Sequence, residues 1–263
     1  MKKEKPIGMF DSGIGGLTVM REVMRLLPHE QILYLGDTAR LPYGGKSRET
    51  IIRYSIENAI FLLEHQIKML VIPCNTASSA ALDKLRSIFN IPVIGVIEPG
   101  AHKAAQVTRN GKIAVLGTKG TIASGAYQKE IQRLLPEAMV VPIPCPLFVP
   151  LVEEKFIHHP AARLIVEEYL KPLAKQEVDT ILLGCTHYPL LQKLIEEVVG
   201  PGIHIVDSAT TCAEKVAEVL KEQNLQNHPH CPVHQFFVSD DPHKFQVHGE
   251  EILGSPIAHI RGV

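Results

Sequence analysis

Two short apolar runs that each end in a cysteine constrain the fold of this chain more than any other feature. One covers residues 70–76 with the sequence LVIPCNT, and the other covers residues 181–187 with the sequence ILLGCTH. Each run predicts a buried strand, and apolar residues at helical spacing follow each cysteine, in the first case over Ser78–Phe89. Cys74 and Cys185 are therefore expected where a strand passes into a helix, at the sheet edge where open α/β proteins bind ligands.

Composition excludes several classes of protein. The chain has 263 residues, 45% of them hydrophobic, which is enough for one large domain or two ordinary ones. The 27 Lys and Arg nearly cancel the 28 Asp and Glu, and no basic patch is interleaved with aromatic residues, so we expect a small-molecule substrate and no nucleic acid. No apolar run follows the charged start or could span a bilayer, so we expect no membrane and a cytoplasmic location. Five cysteines without a Cys-x-x-Cys pair argue against a disulfide framework and a structural zinc site.

Apolar periodicity predicts an α/β fold in which strands and helices alternate. The expected strands are Pro6–Phe10, Gln31–Leu35, Leu70–Ile72, Pro92–Ile97, Lys112–Leu116, Ala138–Ile143, Val178–Leu183, Ile203–Val206 and Phe236–Val238. The expected helices are Leu17–Leu27, one capped by Ser47, Ser78–Phe89, one from Ile122 to Leu135, Pro160–Lys175, one from Leu190 to Val198, Ala209–Gln223 and Pro242–Leu253. The proline-rich segment Pro144–Glu154 is predicted to be a shaped loop.

Two loops near the start of the chain are candidates for ligand contact. The glycines of residues 11–16 would let the backbone approach a carboxylate or a phosphate, but their spacing is not that of a dinucleotide-binding fingerprint. Residues 36–45 form a turn-rich connection that is long for a simple link between a strand and a helix. We therefore expect both loops to be functional.

The order of the strands and loops contains a repeat. Asp11 precedes Cys74 by 63 positions, and Thr118, at the corresponding strand end, precedes Cys185 by 67. The spacing predicts two similar α/β domains with mainly parallel sheets, related by a pseudo-two-fold axis, with the active site in the cleft between them. The alternative is that regularly spaced strands give similar offsets by chance.

The repeat also predicts the domain boundaries. Residues 1–97 together with 208–263 would form the first domain, which carries Cys74, and residues 98–207 would form the second, which carries Cys185. One cysteine would then face the cleft from each side.

Two opposed thiols have a definite chemistry. A helix N-terminus or a nearby charge can shift the pKa of a thiol so that one thiolate and one thiol coexist. A thiolate on one face of a carbon can remove its proton while a thiol on the other face returns one, which inverts a stereocentre without a cofactor. The alternative for any cysteine is a small buried hydrophobe, and this is the preferred interpretation of Cys145, Cys212 and Cys231.

Motifs along nearly the whole chain are similar to those of the glutamate racemases, within the cofactor-independent aspartate/glutamate racemase superfamily. The motifs are DSGIGGL at 11–17, DTARLPYG at 37–44, CNTA at 74–77, the stretch 146–153 and LGCTHYP at 183–189. Lys155 departs from the pattern, because a glycine is expected there.

The resemblance implies roles for named residues. Cys74 and Cys185 would be the two acid/base residues, Asp11 would support the first, and Glu153 and His187 would support the second. The implied substrate-binding residues are Asp11, Ser12, Tyr43, Gly44, Asn75, Thr76, Thr186 and His187, the loop around Tyr43 acting largely through its backbone. The resemblance implies no cofactor, no metal, a homodimer, and a product, D-glutamate, that would feed bacterial peptidoglycan.

Each supporting residue also has a structural interpretation. Asp11 could cap the first helix, His187 could be a helix-start residue that moves no proton, and Glu153 could be solvated surface. The set His228, His230, Cys231 and His234 could suggest a metal site, but the interleaved prolines favour a solvated loop.

Three rival functions remain open. A sister racemase could act on aspartate or another small acid with the same thiol pair. A hydrolase could use Cys185 as nucleophile with His187, although Cys74 would then have no role. A non-catalytic protein could simply bind an acidic amino acid.

Overall fold

Two parallel sheets make up the framework of the protein. The computed structural model describes residues 2–229 and 231–263. The strands are β1 (Ile7–Asp11), β2 (Ile32–Gly36), β3 (Met69–Ile72), β4 (Val93–Gly95), β5 (Lys112–Gly117), β6 (Met139–Pro144), β7 (Thr180–Gly184), β8 (His204–Asp207), β9 (Gln235–Val238) and β10 (Ile260–Gly262).

The helices lie between and around these strands. They are α1 (Leu17–Leu26), α2 (Arg48–Glu64), α3 (Asn75–Ile88), α4 (Ile97–Val107), α5 (Lys119–Ala123), α6 (Ala126–Leu134), α7 (Phe148–Glu153), α8 (Pro160–Leu170), α9 (Gln192–Val199), α10 (Ser208–Glu222) and α11 (Pro242–Leu253). Short 3₁₀ turns occur at Lys2–Glu4, Thr38–Arg40, Tyr43–Gly45, Lys171–Lys175 and Tyr188–Leu191.

Four strands of the first sheet, β2-β1-β3-β4, have the same order as the four strands of the second, β6-β5-β7-β8. The first sheet has the order β10-β9-β2-β1-β3-β4, and the second has the order β6-β5-β7-β8. In the first, Met9 of β1 lies opposite Tyr34 of β2 and Val71 of β3, with both pairings parallel. In the second, β5 lies between β6 and β7 in the same way, again with parallel pairings. The prediction of two similar α/β units with parallel sheets is confirmed, while the exact domain boundaries stay a prediction.

A shared apolar core joins the two sheets. It includes Met9 and Val71 from the first sheet, Val115 and Leu182 from the second, and buried residues of α1, α4, α6 and α10. The outer face of each sheet has a separate core of its own. Because the inner faces pack into one core, the carboxyl ends of β1, β3, β5 and β7 are held close to one another.

The segment predicted as a proline-rich loop contains a helix, so that prediction was wrong. Residues 148–153 form α7, and Pro150 is its third residue. A proline in the first helical turn is tolerated because the amide hydrogens there have no partner within the helix. The same reason explains α4, which the sequence prediction missed and which carries Pro99 in its first turn.

Other boundaries differ from the sequence prediction for local reasons. α3 begins at Asn75 rather than Ser78, because the Cys74 sulfur caps its first turn by accepting a hydrogen bond from the Ala77 amide. The single helix expected from Ile122 to Leu135 is two helices, separated at Gly125, whose φ of 64° is left-handed. The short last strand, β10, was not predicted.

Lys155 has a backbone conformation that explains why a glycine was expected there. Its φ is 58°, in the left-handed region that favours glycine. The side chain reaches Glu251 of α11, with Nζ 2.6 Å from Oε1.

Among the described residues, no helix has both the length and the apolar character needed to cross a membrane.

Candidate active site

A closed cavity lies where the carboxyl ends of the two sheets meet. Its volume is about 30 Å³, and Cys74 and Cys185 both line it. The other lining residues are Ser12, Leu41, Pro42, Gly44, Asn75, Thr76, Thr118, Val149, Glu153, Thr186 and His187. This volume suffices for one or two water molecules and is too small for an amino acid, so the cleft must open to admit a substrate.

Most of the residues predicted for the site lie around this cavity, but two lie behind it. Asp11 and Tyr43 do not line the cavity, although both are buried next to residues that do. The sequence prediction did not assign a site role to Leu41, Pro42, Thr118 or Val149. Thr118 carried a signal, since the repeat matched it, directly after β5, with Asp11 at the end of β1.

Cys74 is a buried thiol at a helix N-terminus. Its sulfur accepts the Ala77 amide hydrogen at 3.4 Å and donates to Ser12 Oγ at 3.9 Å. Burial raises the pKa of the Cys74 thiol far above its usual range, and the negative charge of Asp11 raises it further. In the closed cleft, Cys74 therefore holds its proton at neutral pH.

Asp11 lies beneath Cys74 at the end of β1. Its Oδ2 accepts the Gly13 amide hydrogen at 3.1 Å, and within the described part of the chain its buried Oδ1 has no hydrogen-bond partner. Burial raises the pKa of the Asp11 carboxyl above its ordinary value. α1 begins with Gly16 as its N-cap and has no side-chain cap, so the carboxylate orders the glycine loop rather than serving as the N-cap residue.

Cys185 faces a chain of two polar side chains. Its sulfur is 3.9 Å from His187 Nδ1, and His187 Nε2 is 3.2 Å from Glu153 Oε1. Burial acts to lower the pKa of His187, but the interactions with Cys185 and Glu153 outweigh it and raise the pKa to about 10. His187 is therefore a cation at neutral pH, positioned to stabilise negative charge on the Cys185 sulfur.

Tyr43 lies behind the cavity, and its neighbours Pro42 and Gly44 line it. Its hydroxyl is hydrogen-bonded to Asp37 and accepts from Asn58 Nδ2 at 3.1 Å, and its ring is buried. Arg40 Nε donates to both oxygens of the Asp37 carboxylate, at 2.8 and 2.7 Å. This network fixes the loop so that Pro42 and Gly44, rather than the tyrosine ring, face the cavity.

Direct contacts across the cleft explain the small size of the cavity. Thr76 Oγ1 lies 3.0 Å from Thr118 Oγ1 and 3.2 Å from Thr121 Oγ1, which links α3 to the start of α5. On the other side, a Cβ atom added to Gly15 would lie 2.4 Å from Thr186 Oγ1 and 2.5 Å from His187 Nδ1. The glycine loop thus packs directly against the residues that follow Cys185.

The histidine-rich segment has no metal-binding geometry where it is described. The described residues include no group of three or more His, Cys, Asp or Glu side chains placed to hold a metal ion. His230, one of the four residues considered in the sequence, lies outside the described residues. His234 Nδ1 accepts the Ile32 amide hydrogen at 3.3 Å, and burial lowers its pKa.

Comparison with known proteins identifies similar chains over almost the full length. A model of the Asp/Glu/Hydantoin racemase family matches residues 16–216. A glutamate racemase of Geobacter metallireducens is 50% identical over 257 residues, which cover 97% of this chain and 95% of the relative.

Solved structures of glutamate racemases have the same fold. One from Bacillus anthracis is 39% identical with a TM-score of 0.97, and the match covers 99% of this chain and 98% of the other. One from Francisella tularensis in complex with D-glutamate is 37% identical with a TM-score of 0.94, at 99% and 98% coverage.

Proposed function

The chain belongs to the Asp/Glu/hydantoin racemase family, and on this basis we propose that it is a glutamate racemase that interconverts L- and D-glutamate without a cofactor. The observation that carries the proposal is the placement of Cys74 and Cys185 in one cavity, each within two residues of the end of an equivalent strand, β3 in the first sheet and β7 in the second. Relatives named as glutamate racemases, one of them solved with D-glutamate, support the choice of substrate.

The two sulfurs would perform the reaction in two proton transfers. One sulfur, as a thiolate, takes the Cα proton, and the electron pair left on Cα is delocalised into the α-carboxylate. The other sulfur, as a thiol, then gives its proton to the opposite face of Cα. The first sulfur ends as a thiol and the second as a thiolate, so proton and charge balance, and exchange with solvent restores the starting state.

The surroundings of the two sulfurs favour one distribution of the proton between them before substrate binds. Burial and Asp11 keep the proton on Cys74, whereas the cationic His187 lies beside Cys185. We infer that Cys74 starts as the acid and Cys185 as the base. The reverse reaction starts from the opposite arrangement. Glu153 holds His187 in place, with Oε1 3.2 Å from Nε2.

The remaining residues of the cavity would hold the carboxylates and the ammonium group of glutamate. Asn75 and Thr76 are the first two residues of α3, where free amide hydrogens favour anions. We assign the same task to Ser12, Thr186 and the backbone of Gly44, and a supporting role to Asp11 and Tyr43 behind the cavity. By resemblance alone, we extend the proposal to a cytoplasmic homodimer that supplies D-glutamate for peptidoglycan.

Racemisation of L-glutamate in D₂O tests the proposal. We expect D-glutamate that already carries deuterium at Cα while unreacted L-glutamate initially stays protiated, because a different, solvent-equilibrated thiol delivers the second hydrogen. Mass spectrometry of the separated enantiomers at low conversion measures this. Early deuterium in the L pool at the level of the D pool would contradict the placement of the two cysteines on opposite faces.

The same assay separates the rival functions. A hydrolase or a binding protein would exchange no label, and faster turnover of L-aspartate would identify an aspartate racemase. We expect full activity after dialysis against a chelator and without pyridoxal phosphate. Activity that returns only with zinc or with pyridoxal phosphate would contradict the cofactor-free mechanism.

A further inference from the structure

Tyr127 lies beneath the floor of the cavity and reaches a residue that lines it. The tyrosine belongs to α6, beside the second sheet, and Asn75 is the first residue of α3, beside the first sheet. The Tyr127 hydroxyl donates a hydrogen bond to Asn75 Oδ1 at 2.6 Å, and both residues are buried, at 1% and 2% exposure. This contact spans the two units, so it exists only when they are packed together.

Only one of the two polar atoms of the Asn75 amide has a hydrogen-bond partner among the described residues. Oδ1 is occupied by Tyr127, while Nδ2 is buried and without a hydrogen-bond partner among the residues that the structure describes. Asn75 is also one of the residues that line the cavity. A buried amide hydrogen without an acceptor is costly, and a carboxylate bound in the cavity would supply the missing acceptor.

The surroundings of the Tyr127 ring fix its hydroxyl in place. A Cβ atom added to Gly184 would lie 3.0 Å from Tyr127 Cε2. One added to Gly100 would lie 3.3 Å from Cε1 and 3.4 Å from the hydroxyl oxygen. Burial raises the pKa of Tyr127 well above its ordinary value, so the hydroxyl keeps its proton and remains a donor at neutral pH. A tyrosine held in this way can decide which end of the amide faces the cavity.

We propose that Tyr127 is a positioning residue for racemisation, which fixes the Asn75 amide so that its Nδ2 group donates to a carboxylate of the bound amino acid. The proposal rests on the proposed function, because it needs a carboxylate substrate in this cavity. Without the tyrosine hydroxyl, the amide is free to turn, and its oxygen would then face the carboxylate and repel it.

Replacement of Tyr127 by phenylalanine tests this role, since it removes only the hydroxyl. We expect KM for both enantiomers of glutamate to rise about tenfold, while kcat changes less than about threefold, because the lost interaction binds substrate and transition state alike. An unchanged KM in folded Tyr127→Phe would overturn the proposal. Absence of racemisation in the wild-type protein would instead refute the proposed function, so the two failures are distinguishable.

A double-mutant cycle separates positioning from a general structural effect. In an Asn75→Ala background, Tyr127→Phe should change kcat/KM less than about twofold, because the amide on which it acts is gone. Tyr188→Phe is the matched control, since Tyr188 is equally buried and its hydroxyl donates to the Cys145 carbonyl at 2.8 Å. Its effect on kcat/KM should be the same with and without Asn75→Ala. A full tenfold effect of Tyr127→Phe in the Asn75→Ala background would overturn the proposal.

A second variant keeps the test valid if Tyr127→Phe does not fold. Gly100→Ala places a methyl group against the tyrosine hydroxyl inside α4, where alanine is intrinsically favoured over glycine. We expect KM to rise about two- to threefold with kcat retained, and this rise should also disappear in the Asn75→Ala background. A folded Gly100→Ala variant with a wild-type KM would contradict the positioning role.

Discussion

At the scale of single residues, Cys74 and Cys185 have the same chemistry and different neighbours. Cys74 is buried beside a carboxyl group, Asp11, while Cys185 lies 3.9 Å from the cationic His187. Burial and Asp11 keep the proton on Cys74, and the His187 cation can stabilise negative charge on the Cys185 sulfur, as a racemase with two thiols requires.

Removal of either sulfur should stop racemisation. We expect Cys74→Ala and Cys185→Ala each to lower kcat/KM by about 10³-fold or more, because each face of Cα loses its own proton carrier. Both variants should still fold, with the thermal midpoint lowered by only about 2–4 °C, because alanine removes a single buried sulfur atom. Chiral chromatography measures the activity, and Cys231→Ala, at an exposed cysteine, is the control with unchanged turnover. Near-normal activity of either cleft variant would contradict the two-thiol mechanism.

The pairing of His187 should make the stability of the protein depend on pH. Its pKa in the folded protein is about 10, above the ordinary value of 6.5. Its contribution to stability is therefore fully present below pH 6.5 and is lost as the pH rises through 10. We expect the difference in free energy of unfolding between wild type and His187→Gln to be largest near pH 6. Urea titrations at pH 6, 8 and 10 measure it, and a difference that grows with pH would contradict the raised pKa.

The sequence predicted which polar residues meet at the cavity better than it predicted their contacts. Cys74, Cys185 and His187 could be placed because each lies within three residues of the end of a strand. The hydroxyl of Tyr43 could not, since its binding to Asp37 and Asn58 depends on how a ten-residue loop folds onto α2. Asp37 and Asn58 are six and fifteen residues from Tyr43 in the chain, and no helical or strand periodicity marks either contact.

At the scale of single elements, the glycine loop before α1 is shaped to fit the other side of the cleft. Gly15→Ala would place a methyl group 2.4 Å from Thr186 Oγ1. We expect kcat/KM to fall at least about tenfold and stability to fall by about 1–3 kcal/mol, because a close-packed contact must open. Gly45→Ala is the control, since a Cβ atom there would have no atom within 4 Å. Equal effects of the two variants, in assays and in urea unfolding, would contradict this contact.

The turn after α7 carries backbone strain that can be measured. Lys155 has a φ of 58° and an ion pair with Glu251, whose side chain is 60% exposed. Lys155→Gly and Lys155→Ala both remove the ion pair, but only glycine relieves the left-handed conformation. We therefore expect the glycine variant to be about 1 kcal/mol more stable than the alanine variant in urea unfolding. Equal stabilities would show that the turn relaxes without cost.

Helix and strand positions followed from the sequence where apolar periodicity was strong. The last helix was predicted with the bounds Pro242–Leu253 that the structure shows. Prediction was wrong at α7 because Pro150 was treated as a helix breaker, whereas a proline in the first turn loses no hydrogen bond. It missed β10, which has three residues, of which the neighbouring Arg261 and Gly262 are both exposed, so no alternation marks it.

At the scale of the whole molecule, a buried ion pair joins the start of the chain and the segment after α10 to the first sheet. Lys68 Nζ donates to Glu30 Oε2 at 2.5 Å and to the carbonyls of Lys3 and Leu225, at 2.6 and 2.9 Å. Asn227 donates its amide hydrogen to the other oxygen of Glu30 at 2.8 Å. The start of the chain and the segment after α10 thus meet at one buried cation.

Removal of that cation should destabilise the fold more than removal of a surface one. We expect Lys68→Met to cost about 3–5 kcal/mol, because Glu30 stays buried without a positive partner. Lys112→Met, whose partner Glu177 is 79% exposed, should cost less than about 1 kcal/mol. Urea unfolding compares the two, and adding Glu30→Gln to Lys68→Met should recover part of the loss. A Lys68→Met variant as stable as Lys112→Met would contradict the stabilising role of the buried Lys68–Glu30 pair.

The strand order of the first sheet also determines when each of its strands can pair during synthesis of the chain. β2 pairs on one side with β1, made just before it, and on the other with β9, which the ribosome adds roughly 200 residues later. At about 5–20 residues per second, that edge of β2 has no paired strand for roughly 10–40 s. During this time β5 to β8 are synthesised one after another and can complete the second sheet. During this interval the open edge can pair with a neighbouring nascent chain, and the hazard ends only when β9 covers it.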